Sequence, residues 1–216
     1  MSISTIILGE SGTGKTTSLR NLDPAHTLLI QSVKKPIPFK SKGWKYFSRE
    51  NPAGNIFVSD DAAKILTLME KTSRKVIVLD DWQYVLANEF MRRSQETGFQ
   101  KFSDIGRHAW DILMKAGTLP DDVRVYILAH TTTDEFGHTR IKTIGKMLDE
   151  KIVPEGLVTI CLRTNVSSGV YQFATRNNGS DTTKTPMGMF DADLIDNDLA
   201  AVDAAICDYY DLTQPA

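Results

Sequence analysis

The run Gly9-Glu10-Ser11-Gly12-Thr13-Gly14-Lys15-Thr16 constrains this chain more than any other segment. It satisfies the pattern G-x-x-x-x-G-K-[ST] without a mismatch. Ser4 to Leu8, just before it, is a short apolar run rich in β-branched residues and reads as a buried strand. Lys15 to Asn21, just after it, reads as a helix stopped by Asp23-Pro24. Strand, glycine turn and helix in that order make a phosphate cradle. The glycines let the backbone curl so that successive N–H groups face phosphate oxygens. The helix N-terminus adds partial positive charge. Lys15 can then reach the β- and γ-phosphates, the Thr16 hydroxyl can ligate magnesium, and Thr17 can touch the α-phosphate. Gly9, Glu10, Ser11, Gly12, Thr13, Gly14, Lys15, Thr16 and Thr17 are thus the candidate nucleotide-binding set. Glu10 has two readings, a solvated loop charge or a group that orients water near the γ-phosphate.

Apolar runs recur downstream. Thr27 to Gln31, Lys75 to Asp80 and Val123 to Ala129 read as further buried strands. Between them, Ser59-Asp60-Asp61 signals a helix start before AAKILTLME. Trp82 to Met91 reads as a helix, and Ile105 to Ala116 shows apolar residues at helical spacing. Arg92 to Ser103 and Thr131 to Lys146 are polar and read as loops. Lys34 to Gly43 is a basic loop with two prolines, followed by an extended WKYF run. Leu157 to Arg163 and Val170 to Thr175 read as strands joined by a Ser167-Ser168-Gly169 hairpin turn. Arg176 to Phe190 reads as a loop and Asp198 to Tyr210 as a closing helix. Strands alternating with helices predict an α/β domain with a mostly parallel sheet covered on both faces, plus a C-terminal antiparallel hairpin.

Nucleotide-bound magnesium takes carboxylate help from a neighbouring strand. Val76-Ile77-Val78-Leu79-Asp80 has the form of a Walker B strand, about 60 residues after the glycine turn. It makes Asp80 the second metal-site residue beside Thr16. Asp81 has two readings, a catalytic acid that polarises the attacking water or the N-cap of the next helix. His130 closes the fourth strand, at the carboxyl end where ligands of open α/β sheets bind. It reads either as a sensor of the γ-phosphate or as a hydrogen-bonded histidine at the core edge. Lys15, Asp81 and His130 form the candidate catalytic set.

The length of 216 residues suits one domain, residues 1–216. The net charge of −2 means that any nucleic-acid site must be a local patch. The two cysteines, Cys161 and Cys207, read as reduced buried thiols, and no Cys/His spacing matches a zinc site. The N-terminus lacks the basic-then-apolar pattern of a signal peptide, and no apolar run reaches the roughly 18 residues of a membrane span. A soluble, cytoplasmic protein without a membrane partner is expected.

With GESGTGKTT, VIVLDDWQY, ILAHTTTDEFG and NNGSDTTKTPMGMF in this order, the chain resembles the RecA-like branch of P-loop ATPases. It is most similar to short phage-encoded AAA/RecA-like nucleotide-binding proteins linked to recombination and single-strand annealing. The resemblance implies a RecA-like P-loop ATPase domain that uses ATP and Mg2+. It also implies a homo-oligomer with nucleotide at subunit interfaces, single-stranded DNA as partner, a single-strand-binding protein as a further partner, and the host cytoplasm as location. In that family, loops after the Walker B helix and after the fourth strand face DNA. Here they carry Arg92, Arg93, Lys101, Arg140, Lys142 and Lys146, with Phe99, Phe102 and Phe136 available for stacking. Arg176 and Lys184 are the candidates for a trans-acting cation at the neighbour's site, and Lys184 also for a cap on the base in cis. The chain departs from the family where Thr27 to Ile30 ends in Gln31-Ser32 instead of a catalytic glutamate. Slow hydrolysis, or use of Asp81 or Glu10 in its place, is expected. Two other functions fit the same core. One is a small-molecule P-loop kinase, whose arginine lid could come only from Arg92-Arg93 or the Arg107-His108 region. The other is a weakly hydrolysing DNA-binding module that uses ATP as an assembly switch.

Overall fold

The computed structural model describes residues 1–40 and 42–213. Ser41 of the basic loop lies outside the described residues. The described residues form ten strands: β1 Ile3–Leu8, β2 Thr27–Gln31, β3 Ile56–Val58, β4 Val76–Asp80, β5 Arg124–Ala129, β6 Thr131–Thr133, β7 Thr139–Ile141, β8 Ile160–Ser167, β9 Val170–Ala174 and β10 Leu194–Asp196. Eight of them make the central sheet, in the order β10-β9-β8-β1-β5-β4-β2-β3. From β8 to β3 every neighbouring pair is parallel. Strand β9 runs antiparallel to both β8 and β10. The β8–β9 turn is Ser168-Gly169, both at positive φ (50° and 78°), the geometry of a two-residue hairpin turn.

The alternation of side chains along each strand builds two cores. Ile6, Leu8, Ile77, Leu79, Val125 and Ile127 face one side. That side is covered by α1 Ala62–Lys71, α2 Trp82–Arg92 and α3 Gln100–Ala116. Ile7, Val76, Val78, Tyr126 and Leu128 face the other side, under Leu19 and the apolar stripe of α4 Leu199–Tyr209. Two helix starts follow their sequence signals. Asp61 accepts from Lys64 N–H at the start of α1, and Asp198 from Ala200 N–H at the start of α4.

One expectation gains detail and two need correction. The helix expected after the glycine turn is present at Thr16–Asn21 and is of the 3-10 type. The Ser18 hydroxyl turns back onto the Lys15 carbonyl at 2.6 Å, and the chain must leave the helix before Pro24. The polar stretch Arg92 to Ser103 is a loop only over residues 93–99, because α2 runs to Arg92 and α3 begins at Gln100. Thr131 to Lys146 is not a bare loop, since β6 and β7 pair within it as a small antiparallel ribbon. Two short strands, β3 and β10, leave no readable sequence pattern because each has only three residues.

Candidate nucleotide site

The glycine turn leaves the C-terminal end of β1, in the middle of the sheet. Its glycines are required by contact and by conformation. A Cβ on Gly9 would lie 2.0 Å from Thr164 Oγ1 of β8. Gly14 sits at φ +95°, a region that side chains rarely adopt. A cavity of about 670 Å³ opens over this turn. Glu10, Ser11, Gly12, Gly14, Lys15, Thr16 and Thr17 line its floor. Gly9 and Thr13 hold the turn from below, where Thr164 Oγ1 bonds Thr13 Oγ1 at 2.7 Å.

Lys15 is buried and its Nζ donates to the turn's own carbonyls, Gly9 O at 2.8 Å and Glu10 O at 2.9 Å. Burial pushes its pKa down, against the attraction of Asp81 and Asp80. An ammonium so desolvated gains from an anion placed on the turn. Thr16 Oγ1 lies 3.1 Å from Asp80 Oδ1, so the two candidate metal-site residues meet although they are far apart in sequence. Asp80 is fully buried and burial pushes its carboxyl up to about 6. Its Oδ2 has no hydrogen-bond partner among the described residues.

That orphaned oxygen bears on magnesium. Among the described residues no group of three or more His, Cys, Asp or Glu side chains gathers as an all-protein cage. A hydroxyl and one carboxylate with a free oxygen suit a hard cation that keeps several waters and takes phosphate oxygens. Thr16 and Asp80 therefore fit magnesium carried in with a nucleotide.

Asp81 occupies the N-cap position of α2, yet its side chain caps nothing. Its Oδ2 turns into the cavity, 3.3 Å from His130 Nε2 and 3.4 Å from Lys35 Nζ. Burial raises the Asp81 pKa, but the His130 hydrogen bond and the charges of Lys15, His130 and Lys35 outweigh it and hold the carboxyl below its ordinary value. Asp81 is thus an ionised, buried carboxylate with one oxygen, Oδ1, unpartnered among the described residues. Of the two readings, the cavity-facing one describes its side chain. His130 is also at the cavity wall, with Tyr84 of α2 edge-on to its ring at 6.0 Å.

The sequence assigns Lys35 no role beyond its place in a basic loop. In the structure its Nζ also lies 3.9 Å from Asp80 Oδ2. The residue pair that departs from the expected glutamate explains its position. Gln31 is fully buried, and its amide donates to Lys35 O at 3.1 Å. Tyr46 OH bridges Gln31 Oε1 at 3.0 Å and Lys35 O at 2.9 Å. Gln31 is thus a clamp on the loop that aims Lys35. Sequence reasoning also misses six more wall residues, Pro36, Pro38, Tyr84, Arg20, Tyr171 and Asn197. Strand order brings the last two in, and no local pattern marks them. Comparison with protein-family models and with curated proteins returns no match.

The other candidate cations lie elsewhere. Arg92 bonds Asp60 at 2.6 Å, and Arg93 is held by Glu89, Glu96 and Asp104 at 2.7–3.1 Å. Lys101 is a correction. It is in α3, buried, and its Nζ donates to Glu96 O at 2.7 Å and Arg93 O at 3.3 Å, so it is not a loop cation open to DNA. Phe102 is half-buried against Phe90, whereas Phe99 and Phe136 are exposed. Arg140 pairs with Asp149 at 3.2 Å and Lys146 with Glu150 at 4.0 Å. Lys142 is exposed just after β7. Arg176 bonds Asp193 at 2.7 Å, and Lys184 is tied through its backbone to Cys161. Neither lines the cavity, so capping of a base by Lys184 in cis is corrected.

Proposed function

We propose that the chain binds a nucleoside triphosphate with magnesium and hydrolyses it. One observation carries this reading. Lys15, Thr16, Asp81 and His130, from three strand ends, line one cavity, and Asp80 meets Thr16 beneath it. The turn's N–H groups and Lys15 hold the phosphates. Thr16 and Asp80 would hold the magnesium ion, which neutralises developing charge on the phosphate oxygens when bound. Asp81, kept ionised, is the acceptor for the proton of an attacking water. Attack on the γ-phosphorus breaks its bond to the bridging oxygen, and Lys15 and Lys35 face the charge left behind.

The kinase alternative is less well supported. Arg92, Arg93 and Arg107 are all paired with acids on helices or at their ends. Among the described residues, Arg20 is the one arginine on the cavity wall. The resemblance to RecA-like ATPases extends the proposal to single-stranded DNA and to self-assembly. Exposed Lys142 is the residue through which the DNA part is most directly tested. ATP turnover should be measured by phosphate release, with and without single-stranded DNA, with oligomer mass followed in both states. Turnover by the wild type and its loss in Lys15→Ala and Asp80→Ala support the reading. Phosphate found on an acceptor molecule would favour the kinase, and unchanged release from either variant would remove the site assignment. No helix of the described residues is long and apolar enough to cross a membrane.

A further inference from the structure

The cavity has two chemically different ends, one on each side of the glycine turn. Strand order sets this. On one side of β1 lie β5, β4 and β2, whose carboxyl ends supply His130, Asp80, Asp81 and Lys35. On the other side lie β8, β9 and β10, and they supply Tyr171 and Asn197. The first end holds the acids and cations suited to phosphoryl chemistry. The second end holds an aromatic ring and an amide.

The second end is built rather than incidental. Tyr171, on β9, is half-exposed on the cavity wall. Asn197 follows β10 and is locked by its backbone. Its N–H donates to Tyr171 O at 3.3 Å, and its carbonyl accepts from the Arg20 guanidinium. Next to it, Asn21 Nδ2 bonds Asp198 Oδ2 at 2.7 Å, which ties this corner to the segment after the glycine turn. Asn197 is only 4% exposed, yet its side-chain amide nitrogen has no partner among the described residues. A buried donor without a partner is costly, and this one belongs to a cavity-wall residue, where a ligand acceptor can satisfy it. Both side chains press on the turn. A Cβ on Gly14 would lie 3.0 Å from the Tyr171 ring and 3.1–3.2 Å from the Asn197 amide atoms.

We propose that Tyr171 and Asn197 form the nucleoside subsite. The Tyr171 ring takes the face of the base, and the Asn197 amide N–H donates to an acceptor on the nucleoside. The inference rests on the nucleotide-binding reading above and adds the part of the ligand that the glycine turn does not touch. It assigns recognition of the nucleoside in cis to β9 and β10.

The test separates the two. Binding of Mg-ATP and of Mg-tripolyphosphate, which lacks sugar and base, is measured by calorimetry on the full chain. The proteins compared are the wild type, Tyr171→Phe, Tyr171→Leu, Tyr171→Ala and Asn197→Ala. Tyr171→Leu and Tyr171→Ala should lose at least about fivefold in ATP affinity, the scale of one base–aromatic stack. Tripolyphosphate affinity should be unchanged, and Tyr171→Phe should bind ATP as the wild type does. Asn197→Ala should also weaken ATP alone. Wild-type ATP affinity in Tyr171→Leu overturns the subsite while leaving the phosphate site standing. Equal losses for ATP and tripolyphosphate overturn it too, because they assign Tyr171 to the shape of the turn. A wild type that binds neither ligand overturns the nucleotide reading, and the subsite with it.

Discussion

The His130 imidazole and the Asp81 carboxylate meet at 3.3 Å, although they close two different strands. The contact exists because β5 lies beside β4, with both strands ending at the same level. It keeps ionised a buried carboxylate that faces the cavity instead of capping its helix. Burial alone would drive Asp81 toward its neutral form, and His130 is the first of the groups that oppose it. Removing the imidazole should raise the Asp81 pKa. His130→Ala should therefore shift the acidic limb of the turnover profile to higher pH and lower turnover by about 10- to 100-fold, with ATP affinity little changed. A pH–rate profile with its acidic limb unmoved would detach His130 from Asp81.

Lys35 makes a second prediction, because it reaches Asp81 at 3.4 Å from a loop clamped by Gln31. Lys35→Ala should weaken both nucleotide affinity and turnover. Gln31→Ala, which leaves the Lys35 charge in place but frees its loop, should reproduce part of the loss. Full activity in both variants, read by phosphate release and calorimetry, would make Lys35 a bystander.

Asp80 should impose a pH-dependent cost on the unliganded fold. Its folded pKa, about 6, is raised above the ordinary carboxylate value. Between these two values the folded chain holds a proton that the unfolded chain has released. The stability contributed by this group is therefore present at low pH and is lost as pH rises through about 6. Asp80→Asn should stabilise the unliganded protein at pH 8 by on the order of 2 kcal/mol and should do little at pH 4. Urea titrations at both pH values decide this, and equal effects at both would contradict it. The same variant should have lost turnover, so stability and function separate at one residue.

Arg124 anchors the other end of the sheet. It is fully buried and makes a double contact with Asp203 of α4 at 2.8 and 2.9 Å, and Tyr126 OH joins the same carboxylate. Asp203→Ala strands a buried guanidinium and should cost about 3–5 kcal/mol. The double replacement Arg124→Met with Asp203→Leu should cost less than that single change. Chemical denaturation of the two variants gives the comparison, and a double variant no better than the single one would contradict it.

Lys142 separates the nucleic-acid proposal from ordinary surface charge. Lys142→Glu should weaken single-stranded DNA binding. It should also flatten the log–log salt dependence by about 0.7 for each phosphate the protein no longer neutralises. Charge reversal at Arg92, whose guanidinium already bonds Asp60, should do less. Equal effects, or none, would take the β6–β7 ribbon out of a DNA site.

The central strands and the glycine turn are readable in the sequence because both are locally coded. A buried parallel strand is a continuous apolar run, and Val76 to Asp80 or Thr27 to Gln31 needs no partner to be recognised. The glycine turn encodes its own backbone. Asp80 is legible as a charge ending such a run. What escapes depends on which strands become neighbours. Tyr171 and Asn197 reach the site only because β8 packs on β1 and carries β9 and β10 beside it. Lys35 does so only because Gln31 folds its loop back. Lys101 misleads for a related reason. A lysine in a polar stretch looks solvated, but here its amine caps the carbonyls that follow α2 and lies 5.5 Å from the ring centres of Phe90 and Phe102.

The central claim is that a nucleoside triphosphate sits on the turn from Gly9 to Thr16 with its phosphates on Lys15. Equilibrium binding of Mg-ATP to the wild type and to Lys15→Ala, with folding of both confirmed by thermal melting, tests it most directly. The account predicts saturable binding by the wild type and its loss in the folded variant. Equal affinity in the two proteins, or no binding by the wild type, would contradict it.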